Sequence, residues 1–189
     1  MTGRLPGTQP ELLDTVIEQV RQWLPEVLPW LDMAHGRAER IVKYDTSGRR
    51  VYSPAAYTSK GNEYVLLTPD SSGGNFCFFW IADPQQADWG DRSQVGVSAR
   101  YSLIFWWDYR RIYQSCGIRD REAVKRQILD ALRSVTLRRG RLTVTRLYEL
   151  AENIYQGFTL DEVDNQFLMH PYGGLRVDGE IYAVENCLM

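Results

Sequence analysis

Two apolar runs constrain this chain more than anything else in it. "FCFFWIA" (76–82) is apolar at every position. Side chains alternate between the two faces of a strand, so such a run fits a strand buried on both sides. "RYSLIFWWDY" (100–109) alternates instead. Tyr101, Leu103, Phe105, Trp107 and Tyr109 share one face, and Arg100, Ser102, Ile104, Trp106 and Asp108 share the other. The second face is mixed, and Trp106 there needs a cover. A chain carrying both runs is built round a sheet.

Helical periodicity surrounds these strands. Leu12, Leu13, Val16, Ile17, Val20, Trp23 and Leu24 repeat at helical spacing and predict an amphipathic helix over about 9–31. "TQPE" before them reads as a capping box, with Thr8 and Glu11 as partners and Pro10 in the first turn. Pro25 and Pro29 kink or break the C-terminal part of this helix, and "HGR" (35–37) ends the segment. A second helix spans 121–135. Asp120 is its N-cap, Val124, Ile128 and Leu132 form its stripe, and Ala131 and Val135 lie beside them.

The remaining strands are marked by turn signals. "RIVKY" and "RVY" flank "DTSG" and read as a hairpin. "EYVLL" is a strand that ends at a Gly-rich loop. The polar stretch 83–98, opening "DPQQADWGDRSQVG", reads as a long loop. "GRLTVT" is a strand. "RLYELAENIYQGF" matches a helix better, although the strand can run on to Glu149. "TLDE" (159–162) is a further capping box that opens a short helix through Phe167 or Leu168. Pro171, Gly173 and Gly174 then turn the chain into a final strand, "LRVDGEIYAVE".

This order predicts a single α+β domain over residues 1–189. Its sheet is mostly antiparallel or mixed, and its helices pack mainly on one face. The sheet-rich part is 40–110; a strand, a short helix and the final strand occupy 141–186. Leu13, Ile17, Val20, Phe78, Trp80, Leu103, Phe105, Ile128 and Leu132 are the expected core.

Charge is distributed unevenly along the chain. Residues 1–91 carry a net −4, residues 92–146 a net +9, and residues 147–189 a net −7. Either the middle meets a polyanion, or the two blocks meet each other, within one molecule or between neighbours. Of the 22 basic residues 19 are arginine, the residue favoured in interface ion pairs. Arg138, Arg139 and Arg141 are therefore contact candidates, as are Arg110 and Arg111 after the aromatic strand. Asp88, Trp89 and Asp91 join them from the polar stretch. Arg133 and Arg146 extend the arginine-rich segment to 133–146, which suits a nucleic-acid backbone as the alternative partner.

The residues point away from several chemistries. No stretch approaches the roughly 18 apolar residues that cross a bilayer, and the N-terminus has no apolar core of a secretory signal. Cys77, Cys116 and Cys187 are far apart, and no pair has zinc-ligand spacing. Asp83, Asp88 and Asp91 lack the spacing of a calcium loop. No nucleophile elbow, phosphate-binding glycine loop or zinc-protease motif occurs. The expectation is no catalytic residue, no metal and no cofactor. An enzyme built on His170 with Asp164 or Glu162 is a second alternative; helix stop and turn is the preferred reading of His170.

The element order of helix, hairpin and strands, helix, strand, short helix and final strand resembles that of the tail-completion (tail terminator) proteins of long-tailed phages. "YSLIFWWDYRRIY" and "YELAENIYQGFTLDEVDNQFLMHPYGGLRVDGEIY" also resemble uncharacterised proteins of prophage-like regions. The resemblance implies a non-enzymatic structural subunit that acts through protein contacts, in a head-to-tail ring with copies of itself. Such a protein is cytoplasmic during synthesis and is then incorporated into a virion. The resemblance carries no diagnostic residue.

Overall fold

A computed structural model describes residues 10–58, 63–70, 74–91, 94–113, 120–160 and 166–186. The order is α1 (Leu13–Val27), β1 (Met33–Arg37), β2 (Glu39–Tyr44), β3 (Arg50–Thr58), β4 (Glu63–Leu66), β5 (Phe76–Ile81), β6 (Gln86–Asp91) and β7 (Gln94–Asp108). Then come α2 (Tyr109–Ile112), α3 (Arg121–Ser134), β8 (Gly140–Tyr148), α4 (Ala151–Ile154) and β9 (Tyr172–Asn186). The domain is α+β, as the sequence predicts.

The large sheet runs β1-β5-β7-β9-β8, and β6 pairs with β7 beyond the end of β5. It is mixed: β1 lies parallel to β5, and the other pairs are antiparallel. β7 and β9 form its spine, paired without a break from Gln94↔Asn186 to Asp108↔Tyr172. Strict alternation then sorts their side chains. Tyr101, Leu103, Phe105 and Trp107, with Leu175, Val177, Ile181 and Ala183, face α1 and α3 in one core. Ile104 and Trp106, with Phe76 and Phe78 of β5, enter a second core on the opposite face, against Ile154, Tyr155 and Leu168. Trp106 thus has the cover its sequence demands. Its indole N–H donates to the Phe167 carbonyl (2.6 Å), and its ring stacks on Tyr172. The expected core is buried as predicted, except that Trp80 is half-buried and packs edge-on to Phe158.

A second, three-stranded sheet, β2-β3-β4, contains the predicted hairpin. Among its described residues Ala56 of β3, with Ala38 just before β2 and Leu67 just after β4, joins the second core.

Several boundaries differ from the sequence reading. α1 ends at Val27, with the Leu28 N–H on the Leu24 carbonyl (2.9 Å). Leu28, Trp30 and Leu31 stay buried, but as an irregular segment imposed by Pro25 and Pro29. His35, Gly36 and Arg37 do not end a helical segment; they belong to β1. Thr8 of the expected capping box lies outside the described residues, and Leu12 at the N-cap makes no side-chain cap. Pro10 precedes the helix. The cap comes from 173 positions away, where Glu185 of β9 accepts from the Leu12 N–H (2.6 Å). A carboxylate suits the positive end of a helix dipole.

The polar stretch 83–98 is a β6–β7 hairpin and not a long loop. β8 continues to Tyr148, which leaves only the short α4 from the segment that reads as helical. Residues 161–165 of the "TLDE" helix lie outside the described residues. Gly173 and Gly174 serve no left-handed turn. They are paired in β9, where a side chain at Gly173 would meet the Trp107 indole (2.7 Å) and one at Gly174 would meet Ile154 and the Phe105 carbonyl (both 3.1 Å). Asp120 does cap α3, accepting from the Ala123 N–H at 2.9 Å.

Candidate functional site

The second core covers only one end of the large sheet's second face. Among the described residues that face opens past the buried Ile104 and Ser102, and the register fixes its rows. Tyr148, Arg176 and Ile104 form one row across β8, β9 and β7, and Arg146, Asp178 and Ser102 the next. Thr143, Glu180 and Arg100 come after them, then Arg141, Tyr182 and Ser98. Arg100 of β7 and Arg141 and Arg146 of β8 therefore flank Asp178 and Glu180 of β9 within one sheet. These few members of the basic and acidic blocks, separate in sequence, meet in a single molecule; most charges of both blocks lie outside these strands.

Two of these groups are committed to the fold. Arg176 is bidentate to Asp178 (2.6 and 3.0 Å), donates to the Gln156 carbonyl (3.1 Å) and lies 5.4 Å from the centroid of the Tyr148 ring. It locks the turn after α4 onto β9. Arg100, Arg141, Arg146 and Glu180 are exposed. Two shallow depressions adjoin them: one of ~270 Å³ beside Pro84, Ser98 and Arg100, and one of ~450 Å³ beside Ser102, Arg146 and Asp178. Both present mixed charge on an open surface.

The sequence candidates do not converge. Arg110 is bidentate to Asp108 (2.9 and 2.8 Å) and reaches the Tyr172 hydroxyl (3.0 Å). Arg111 lies 3.4 Å from Asp32. Both sit at the far end of β7, about 33 Å along the strand from the Arg141 row at a rise of ~3.3 Å per residue. The Arg138 N–H donates to the Gln19 side-chain Oε1 (2.6 Å) and its carbonyl accepts from Gln19 Nε2 (3.1 Å), which leaves the Arg138 side chain exposed. Arg139 has φ of 61° and offers its carbonyl to the Val184 N–H (2.9 Å). Arg141 is exposed on β8. Asp88 is exposed on β6; the side chains of Trp89 and Asp91 lie outside the described ones.

His170 is exposed in the turn before β9, its ring 6.3 Å from that of Tyr109. Glu162 and Asp164 lie outside the described residues. Burial raises the Cys77 thiol far above its ordinary range, so it is no thiolate at neutral pH; Cys116 and Cys187 lie outside the described residues. No group of His, Cys, Asp and Glu able to hold a metal occurs among the described residues, and no described helix is long and apolar enough to cross a membrane.

The row of Arg176, Asp178 and Glu180 escapes a reading by motif. Its signal is the period of two in "RVDGE", which aims all three side chains at one face once the segment is taken as a strand.

A second edge of the molecule stands out. Among the described residues β8 pairs with β9 on one side only, and Val144, Leu147 and Leu150 are exposed along or just past it. The opposite edge of the sheet is β1, an unlike strand. No protein-family model matches the chain, and no curated protein matches it.

Proposed function

We propose that this chain is a non-enzymatic assembly subunit of a phage or prophage particle. In this reading it acts like a tail-completion protein, through contacts with copies of itself. The observation that carries the reading is the β8 edge, which no other described strand covers. An unpaired edge with exposed apolar side chains is a template for strand addition. The two ends of the large sheet, β8 and β1, are unlike. Unlike edges suit heterologous, head-to-tail contact, which closes into a ring when the rotation allows. The resemblance of the predicted element order to that of tail-completion proteins suggests the particle context. The protein is then made in the cytoplasm and incorporated into the virion.

Sedimentation velocity of the purified chain tests the contact. A discrete closed oligomer is expected, and Val144→Glu with Leu147→Glu is expected to return it to monomer. Mass spectrometry of purified induced particles tests the context. A few copies per particle is the expected result; a monomer at every concentration together with absence from particles overturns the proposal.

A further inference from the structure

We propose that the outer end of the β2–β3 hairpin is a contact surface for single-stranded nucleic acid. β4 reaches β3 only from Ala55 to Thr58, whereas β2 pairs with β3 out to Tyr44↔Arg50. The outer part is therefore a ribbon, and β2 is exposed along nearly its whole length. Register puts Arg40, Val42 and Tyr44 on one face with Arg50 and Tyr52. That face contains no carboxylate. Val42 is 51% exposed and Tyr44 66%.

The carboxylates of the ribbon are engaged away from this face. Its two carboxylates are occupied internally. Glu39 accepts from the Tyr64 hydroxyl (2.8 Å). Asp45 accepts from the Ser47 and Arg49 N–H groups (2.9 and 2.8 Å) and the Ser47 hydroxyl (2.7 Å), and lies 3.5 Å from Arg49. Arg40, Lys43 and Arg50 have no carboxylate within ion-pair distance among the described residues. Arg40 is already placed, its guanidinium 4.8 Å from the centroid of the Tyr52 ring.

Cations without a carboxylate partner among the described residues, beside the exposed Tyr44 ring and the Arg40–Tyr52 stack, match a strand of phosphates with unpaired bases. The arginines meet phosphates, and Tyr44 and the Arg40–Tyr52 stack offer planes to bases. Arg40 to Tyr44 spans about 14 Å at the rise of a strand, room for a short run of nucleotides. A duplex keeps its bases stacked inside and offers Tyr44 nothing to stack on, so single strands are favoured. This surface is separate from the β8 edge, so the inference stands or falls independently of self-association.

The test is fluorescence anisotropy of the full chain with a labelled oligothymidylate and with a labelled duplex of equal length, across a salt series. The single strand is expected to bind more tightly, with a log–log salt slope near −1.4, about −0.7 for each of two phosphates. Arg40→Glu with Arg50→Glu should weaken binding more than tenfold, Arg40→Lys with Arg50→Lys far less, and Tyr44→Ala about fivefold or more. Unchanged thermal melting of each variant checks that the ribbon alone is altered. No binding at low salt overturns the inference. So does tighter binding of the duplex, or loss of binding on Arg133→Glu with Arg138→Glu while the ribbon variants bind normally. A change in sedimentation of the nucleic-acid-free protein on Arg40→Glu with Arg50→Glu, without loss of oligonucleotide binding, makes the ribbon a protein contact and also overturns it.

Discussion

The Tyr101 ring crosses β9 at Gly179, its cross-strand partner, and its hydroxyl donates to the Thr143 carbonyl of β8 (3.2 Å). A side chain at Gly179 would collide with that carbonyl and stand 2.8 Å from the ring. One aromatic therefore ties three neighbouring strands together, and only glycine lets it pass. Gly179→Ala should destabilise the fold by about 1–3 kcal/mol, the usual cost of overpacking. Tyr101→Phe should cost about 1 kcal/mol, one buried hydrogen bond. Denaturant midpoints measure both, and equal stability of Gly179→Ala and wild type would refute the crossing.

Glu185 makes the other long-range tie. Its carboxylate accepts from the Leu12 N–H and lies 3.4 Å from the Thr15 hydroxyl. Glu185→Ala should lower stability by about 0.5–2 kcal/mol, the range for lost helix caps. Hydrogen exchange should quicken in the first turn of α1 and leave α3 unchanged.

Stability should fall toward acid in two stages. Burial, and then the charge of Arg21, lower the pKa of His35. The unfolded chain therefore takes up this proton first, and stability declines as pH falls through the ordinary histidine range. His35→Gln should remove that stage.

At lower pH Asp108 titrates. Burial raises its pKa, but the side-chain and backbone hydrogen bonds from Arg110 outweigh burial and hold it below the ordinary value. Its contribution is present above the unfolded carboxylate range and is lost as pH falls through its depressed folded value. Asp108→Asn should flatten this stage in urea melts across pH. An unchanged profile in both variants would assign the acid sensitivity to other groups.

Arg176→Lys should loosen the α4 turn while sparing the sheet. Lysine keeps the charge but loses the fork that holds Asp178 and the Gln156 carbonyl together. Amide exchange in 151–158 should rise several-fold, with β7 protected as in wild type.

The sequence determined this protein's local elements where period and chemistry agree. The alternation of 100–109, the apolar run 76–82, the stripe of α1 and the Asp120 cap each set one element, because their signals depend on nearest neighbours along the chain. It also implied a cover for Trp106. Tertiary structure decided the rest. β1 carries no alternation of its own and is a strand because it pairs with β5. The 83–98 stretch is polar, yet becomes a hairpin because the long β7 gives β6 a partner. Gly173 and Gly174 resemble turn residues, yet lie in a strand because Trp107 and Ile154 press against it. The charged blocks look like two surfaces along the chain, yet Arg100, Arg141 and Arg146 of one and Asp178 and Glu180 of the other lie on adjacent strands of one sheet, since register, which sequence spacing does not encode, sets which side chains meet.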